Sequence, residues 1–552
     1  MQKNCTSCRQ TFEVTDEDLA FYKDMDVSAP THCYLCRMQR RLSYRNERNL
    51  YHRKCDKTGK QIISQFSGKK LFPVYENDAW WSDDWDALSY GKDIDFARPF
   101  FEQFFELRNR VPRMAMTQQK PMENSDYCNC ASLNKNCYLV FSTNHCEDCY
   151  YGSWVNYCKD CIDVSYTIES ELCYECTGCK GCYNLRYSRD SGNCRDSFFL
   201  RNCQGCHDCF GCSNQIQKKY MVFNEQKTKE EYEAFLNSVQ TGSENEMRQA
   251  QEKIDGLLHD LIVKEYQGSN IEHSLGNYLN DCKNCFTCFE CDNAEDLRYC
   301  YCVHNAKNCM DYGYWGQNAE RIYECQACGY DVFNLRFCNI CWSGCSDLTY
   351  CDHCFSSKNC FGCVGLKKKE YCIFNKQCTK KQYEELVPKL IAHMRTTEEW
   401  GEFFPAAESI FSYNETLAHE QIPLIKKEVL TKGWHWHDEE EMQKEQYLGP
   451  KIEIPDNIKD VSDDIVKQIL RCSVTGKPYK IIPQELKFYR KMNIPIPRRC
   501  PDQRHSERFS FRNPRKFWDR KCAKCNKSIK TTYASERPEI VFCEDCYLKE
   551  VY

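Results

Sequence analysis

A 552-residue chain with 28% charged and 14% aromatic residues and a mean hydropathy of −0.73 is too long for one core, so about two to four domains are expected. No run of about 18 apolar residues predicts a membrane span, and the opening MQKNCTSCRQTFEV has no apolar secretory stretch, which sets a cytoplasmic location as the expectation. The net charge of −5 excludes a chain-wide nucleic-acid signature and leaves such a partner to local basic patches.

The chain carries 45 cysteines. In a reducing compartment persistent disulfides are disfavoured, so dense spacings point first to metal ligation and second to buried thiols that pack as small hydrophobes.

Residues 1–80 read as an N-terminal zinc-ribbon module. Cys5-x2-Cys8 and Cys33-x2-Cys36 are two knuckle pairs, and four thiolates suit tetrahedral zinc. Ser43–Cys55 (SYRNERNLYHRKC) returns 467 residues later as Ser510–Cys522 (SFRNPRKFWDRKC), and the alignment runs without a gap from residue 5 to 55. Residues 468–552 are therefore a second copy. There the upstream positions are Cys472, Thr475, Cys500 and Gln503, whereas Cys522, Cys525, Cys543 and Cys546 form the downstream set that the first copy lacks. Each copy is expected to keep a different zinc site, about two zinc ions per chain. A thioredoxin-like pair would open a helix in a βαβ pattern, which is absent.

Residues 81–123 read as an acidic, aromatic connector with a helix. Two cysteine-rich β-solenoids follow, at 124–236 and 277–395, each closed by a helix with a capping box at Thr228/Glu231 and Thr379/Gln382. The first shows cysteines at a period of 21, split into 9 and 12; the second tolerates one-residue slips. The predicted fold class is thus mainly β with helical connectors: two parallel β-helix segments between terminal zinc ribbons. Of the 34 middle cysteines, most are expected to be an inward thiol ladder. Cys173/Cys176/Cys179/Cys182 and Cys203/Cys206/Cys209/Cys212 are the candidate metal sets, although no Cys-Pro ends either run. Residues 237–276 are predicted as a helical bridge with Met247, Ile254, Leu257, Leu258, Leu261 and Ile262 on one face, and 396–467 as a linker in which His435 and His437 are candidate ligands.

Between Arg37 and Lys54 seven Lys/Arg oppose one acid, and between Arg504 and Lys521 seven oppose two. Interleaved with Tyr44, Tyr51, Phe511, Phe517 and Trp518, these islands are expected to contact RNA or a ribonucleoprotein through Arg45, Arg48, Arg53, Arg512, Arg515 and Arg520. The competing reading is a structural clasp on an acidic solenoid surface. No Walker loop, HExxH, GxSxG or dinucleotide fingerprint occurs, and no catalytic residue is assigned. A non-enzymatic zinc-binding protein is the leading reading, with a protein–protein scaffold using the solenoid faces and a thiol-rich metal store or redox buffer as alternatives.

The segment CTSCRQTFEVTDEDLAFYKDMDVSAPTHCYLCR resembles the probable zinc-ribbon domain family, which implies a structural zinc ribbon. RNERNLYHRKCDKTGK, the Cys-repeat middle and FFPAAESIFSYNET together resemble the large, uncharacterised cysteine-rich proteins of reduced-genome bacteria. That resemblance implies the architecture and no particular reaction.

Overall fold

A computed structural model describes residues 1–257, 261–314, 316–337, 339–438 and 452–551. From Cys128 to Cys212 every third residue is buried, and from Cys130 to Phe223 every third residue has positive φ. The building block is therefore a triplet: one residue facing inward, one on the side of the coil, and one left-handed corner. Four triplets make a rung, and rungs pair in parallel at twelve residues, as in Ser153↔Ser165 and Tyr183↔Arg195. Asn, Asp and Gly recur at the corners because they tolerate the left-handed region best.

This corrects the 21-residue period. Spacings of 9, 12 and 21 are all multiples of three, so the cysteines mark the triplet and not the rung. The second solenoid mixes 12-residue rungs (Leu348↔Cys360) with 13-residue ones (Gln317↔Tyr330, Phe333↔Ser346), which accounts for its one-residue slips.

The narrow lumen explains why cysteine fills it. Side and corner amides bond to neighbouring rungs, as Ser153 N–H does to Val164 O (3.1 Å) and Tyr151 N–H to Tyr138 O (3.0 Å). An inward amide points into the core and must find an acceptor there. Ser170 Oγ accepts from Cys182 N (3.1 Å), Asn134 Oδ1 from Cys146 N (3.0 Å) and Cys194 Sγ from Cys206 N (3.4 Å). The thiols in turn donate to the backbone, Cys137 to Cys146 O and Cys363 to Cys372 O (each 3.4 Å). Cysteine is small and apolar, yet both a weak donor and a weak acceptor, so it packs beside Val140, Val155 and Val164 and also pairs with backbone groups, which valine does not.

Each solenoid ends in an antiparallel turn, Lys219–Val222 with Glu225–Gln226 and Glu370–Ile373 with Lys376–Gln377, and then a helix. Both capping boxes form, at Thr228/Glu231 and Thr379/Gln382.

The chain divides into two units, Met1–Met116 with Tyr266–Asp438, and Thr117–Glu265 with Glu439–Tyr552. Each unit joins a terminal module to the solenoid that lies farther from it in sequence. The modules share their elements at the offset of 467: helices Tyr34–Leu42 and Pro501–Ser510, then hairpins Tyr51–Lys54/Gln61–Ser64 and Trp518–Lys521/Ser528–Thr531. In each, a further strand pairs in parallel with the strand that leads into a solenoid: Val74–Tyr75 with Arg113–Met114, and Ile540–Phe542 with Ile262–Lys264.

Two expectations change. The helix after the first solenoid is Glu244–Leu257; Met247 and Ile254 pack against Phe198, Phe210 and Tyr232, Leu257 is 56% exposed, and Ile262 belongs to a strand. Leu258 lies outside the described residues. The predicted linker is also packed at both flanks. Phe403, Phe404, Phe411 and Tyr413 are buried in one unit, and Ile458, Val461 and Ile465 in the other, because both flanks carry apolar residues that join the cores of their units.

Candidate metal centres and the arginine clasp

Among the described residues two groups bring four potential ligands together: Cys5, Cys8, Cys33 and Cys36, and Cys522, Cys525, Cys543 and Cys546, with all sulfurs of a group within 4.8 Å of one another. Four sulfurs at about 2.3 Å from a tetrahedral ion stand about 3.8 Å apart. Cys8 Sγ to Cys33 Sγ and Cys525 Sγ to Cys543 Sγ are each 3.7 Å. Knuckle amides already donate to the sulfurs, Cys8 N to Cys5 (3.5 Å) and Cys543 N to Cys522 (3.2 Å). Burial pushes the Cys522 thiol up, but the amides of Cys525, Cys543 and Lys524 outweigh it and hold it down at about 6. Donor type, number and spacing all fit a metal ion, and four thiolates are a donor set that suits tetrahedral zinc.

The two remaining positions keep the knuckle without the ligands. Thr475 N donates to Cys472 Sγ at 3.5 Å, the same geometry as Cys8 on Cys5, while Thr475 Oγ1 stands 3.8 Å from Cys500 Sγ. Thr58 N and Glu76 N donate to Cys55 Sγ at 3.4 and 3.2 Å. The turns persist because the hydrogen bonds to one sulfur survive loss of two donors at the Cys472 position and of three at the Cys55 position.

The middle cysteines stand differently. Consecutive inward positions, such as Cys173, Cys176, Cys179 and Cys182, occupy successive sides of the coil, and no group of three in either solenoid meets the ligand spacing among the described residues. Cys338 lies outside them. Burial holds the thiols of Cys128, Cys161, Cys176, Cys288, Cys351 and Cys363 above the ordinary range.

The basic phrase meets the solenoid. On helix Tyr34–Leu42, Arg37 Nε bonds Asp311 Oδ2 (2.8 Å), Arg41 Nη1 bonds Asp311 Oδ1 (3.0 Å), and Arg40 grips Glu324 through both oxygens (2.6 Å each). In the other unit Arg504 and Arg508 close on Asp163, Arg508 at 2.9 Å. All four of these aspartate-binding arginines and both aspartates are at most 2% exposed. One turn further, Arg45 lies over Tyr314 (4.6 Å to the ring centre) and Arg512 over Tyr166 (4.0 Å). Asp311 and Tyr314, like Asp163 and Tyr166, are adjacent corners of a rung. The positions 37, 41 and 45, and 504, 508 and 512, thus form one clasp used twice.

The six candidate RNA-contact arginines are placed accordingly. Arg45 and Arg53 are buried and bond Glu47 (2.6 Å) and Asp56 (2.9 Å), and Arg48 stands 3.8 Å from Glu420. Arg515 is buried at 6% exposure, Arg512 stacks on Tyr166, and Arg520 donates to Ala534 O (3.1 Å). This placement favours the clasp reading. Among the described residues His435 and His437 join no ligand cluster; His437 packs on Tyr51 (5.7 Å). The partners Asp163, Asp311, Tyr166 and Tyr314 were not singled out from sequence. The signal that could have found them is the duplicated i, i+4, i+8 arginine series, which needs an acidic and an aromatic partner at fixed spacing.

The copies differ at one member. Glu507 stands where Arg40 does in the first module, so Glu175, the counterpart of Glu324, meets Arg508 at 3.4 Å in place of a second grip from that position. Burial, with Asp163 and Glu507 nearby, pushes Glu175 up to about 7 against Arg508 and Arg504. A carboxyl whose folded value lies above its unfolded one binds its proton more tightly in the native state. The stability linked to that proton is complete below about 4.5 and lost as pH rises through about 7. Because its side chain is 22% exposed, the effect is smaller than the full shift. Glu175→Gln should therefore gain roughly 1–3 kcal/mol over the parent above pH 7 and flatten the fall between pH 5 and 7, read by urea denaturation at a series of pH values.

Comparison with protein-family models gives no match, and none of the curated proteins matches the chain. Likeness therefore enters only between the chain's own two copies. No helix among the described residues is long and apolar enough to cross a membrane.

Proposed function

We propose that the protein is a zinc-dependent, non-enzymatic binding protein of the cytoplasm, in which each four-cysteine set holds one structural zinc ion and the solenoids present the surface that meets a protein partner. The observation that carries this reading is the clasp. The basic phrases are engaged within their own units, while corner ladders on the far sides of the rungs stay open, as at Leu133 (37% exposed), His145 and Tyr157 (56% exposed). Beside them an alternating ladder, Glu123, Lys135, Glu147 and Lys159, brings opposite charges within 4.0 Å at each step. Such a ladder sets rung register, since a slip of one rung opposes like charges.

RNA contact through the basic segments has narrower support: exposed Lys516 and Phe511, the latter 37% exposed, remain on the second module. A metal store would need ligand clusters inside the solenoids. Elemental analysis of the purified chain tests these readings together with thiol titration. About two zinc ions, with the solenoid thiols inert to alkylation in the native state, is the expected result. Ten or more ions would replace this reading with the store, and saturable, salt-dependent RNA binding would restore the nucleic-acid reading.

A further inference from the structure

On the first solenoid Arg189 and Arg201 sit one above the other on adjacent rungs. Arg201 is 6% exposed; its Nη1 donates to Tyr187 O (2.6 Å) and Leu200 O (2.9 Å), but its buried Nε and Nη2 have no hydrogen-bond partner among the described residues. Arg189 is half-buried, with its guanidinium 3.0 Å from the centre of the Phe511 ring. Asp190, Asp255 and Glu175 reach these cations through electrostatics. Burial, followed by the charge of Arg201, pulls Arg189 down to about 8. Two like charges stacked out of water are costly unless an anion joins them.

The other unit shows the same position neutralised. There the corresponding rungs carry Asn339 and Asp352; Asn339 bonds Asp352 Oδ1 (3.1 Å), and Arg113 bonds Asp352 Oδ2 (3.1 Å). Val263 stands on the lead-in strand where Arg113 stands in its copy. One copy thus holds an arginine–aspartate pair, and the other a pair of stacked arginines.

We propose that Arg189 and Arg201 form a binding site for a tetrahedral oxyanion of the phosphate class, which bridges the two guanidiniums and satisfies Arg201 Nε and Nη2. A guanidinium presents its N–H donors in a fork that matches such oxygens. With Arg201 only 6% exposed, the site suits a compact or terminal phosphate over a long backbone. This site is independent of the zinc centres and of the solenoid's partner.

Thermal melts of the zinc-loaded full chain test it, in phosphate-free buffer and with inorganic phosphate added at constant ionic strength. The melting temperature should rise by about 5 °C at saturation in the parent, and the rise should be lost in Arg189→Gln and in Arg201→Met. Arg201→Met should also melt higher than the parent without phosphate, because an unpaired buried charge is gone. Arg189→Gln, at a half-exposed position, keeps the test informative if the Arg201 variant fails to fold. Sulfate should reproduce the shift, and a single-stranded RNA without terminal phosphate should not. The same shift in parent and Arg189→Gln, or none in either, overturns the site; a shift with the RNA alone overturns its phosphate selectivity.

Discussion

Replacing Cys525 by serine should lower the zinc content of the chain from about two ions to one and unfold the second half of the C-terminal module. The substitution is sterically mild, since Cys525 is the exposed member of its set, so its effect reports on the metal. Structural zinc contributes on the order of 10 kcal/mol to small domains that fold around it. Here the loss should be confined to the strands around it, Trp518–Lys521, Ser528–Thr531 and Ile540–Phe542, and to their partner Ile262–Lys264. Helix Pro501–Ser510 should keep its protection, because Arg504 and Arg508 hold it to Asp163 independently of the metal. Metal analysis with hydrogen exchange reads both outcomes. Cys472→Ser is the control and should leave the zinc content unchanged. A parent-like zinc content in Cys525→Ser would remove the metal centre from this description.

Asp311→Asn should be the most damaging single change in the first unit, at roughly 3–5 kcal/mol. It leaves Arg37 and Arg41, each at most 2% exposed, without the carboxylate that balances both. The cost arises from the stranded cations and not from the lost bonds alone, so combining Asp311→Leu with Arg37→Met and Arg41→Met should recover most of it. Asp163→Asn should cost less. In that unit Glu485 stands 3.6 Å from Arg504 and Glu175 3.4 Å from Arg508, whereas in the first unit Glu324, 4.0 Å from Arg41, is already held by Arg40, so more carboxylate remains to balance the second pair. Denaturant midpoints for the single and combined variants measure these differences, and a combined variant no better than Asp311→Asn alone would show that packing, not charge, holds the module.

The architecture was legible where chemistry constrains local sequence. A CxxC turn places two sulfurs through local hydrogen bonds, so both four-cysteine sets could be read directly. The 467-residue repeat was visible because the whole module, helix and hairpin included, is copied in register. The capping boxes at Thr228 and Thr379 follow from neighbours three residues apart. The solenoid was recognised but its period was misjudged. Cysteine marks only some inward positions, with Val, Leu, Ser, Thr and Asn at the others, and the left-handed corner that defines the triplet also holds Tyr151, Trp154 and Phe199 beside the Asn and Asp that suit it best. A composition-based signal sees the thiols and misses the backbone rule.

The role of SYRNERNLYHRKC and its copy shows the division most clearly. By itself the sequence determined that a basic, aromatic segment recurs beside a cysteine knuckle, since charge and spacing are local properties. It could not determine what those arginines meet. Asp311 lies 270 residues from Arg41 and Asp163 more than 300 from Arg504, and neither aspartate differs in its local text from a dozen other corner residues. Only the folded units decided this, by docking each module on the more distant solenoid. There a buried carboxylate and a tyrosine face on adjacent corners match arginines spaced one helical turn apart, and the low-dielectric interior makes that match far stronger than a solvated contact of the same charges would be.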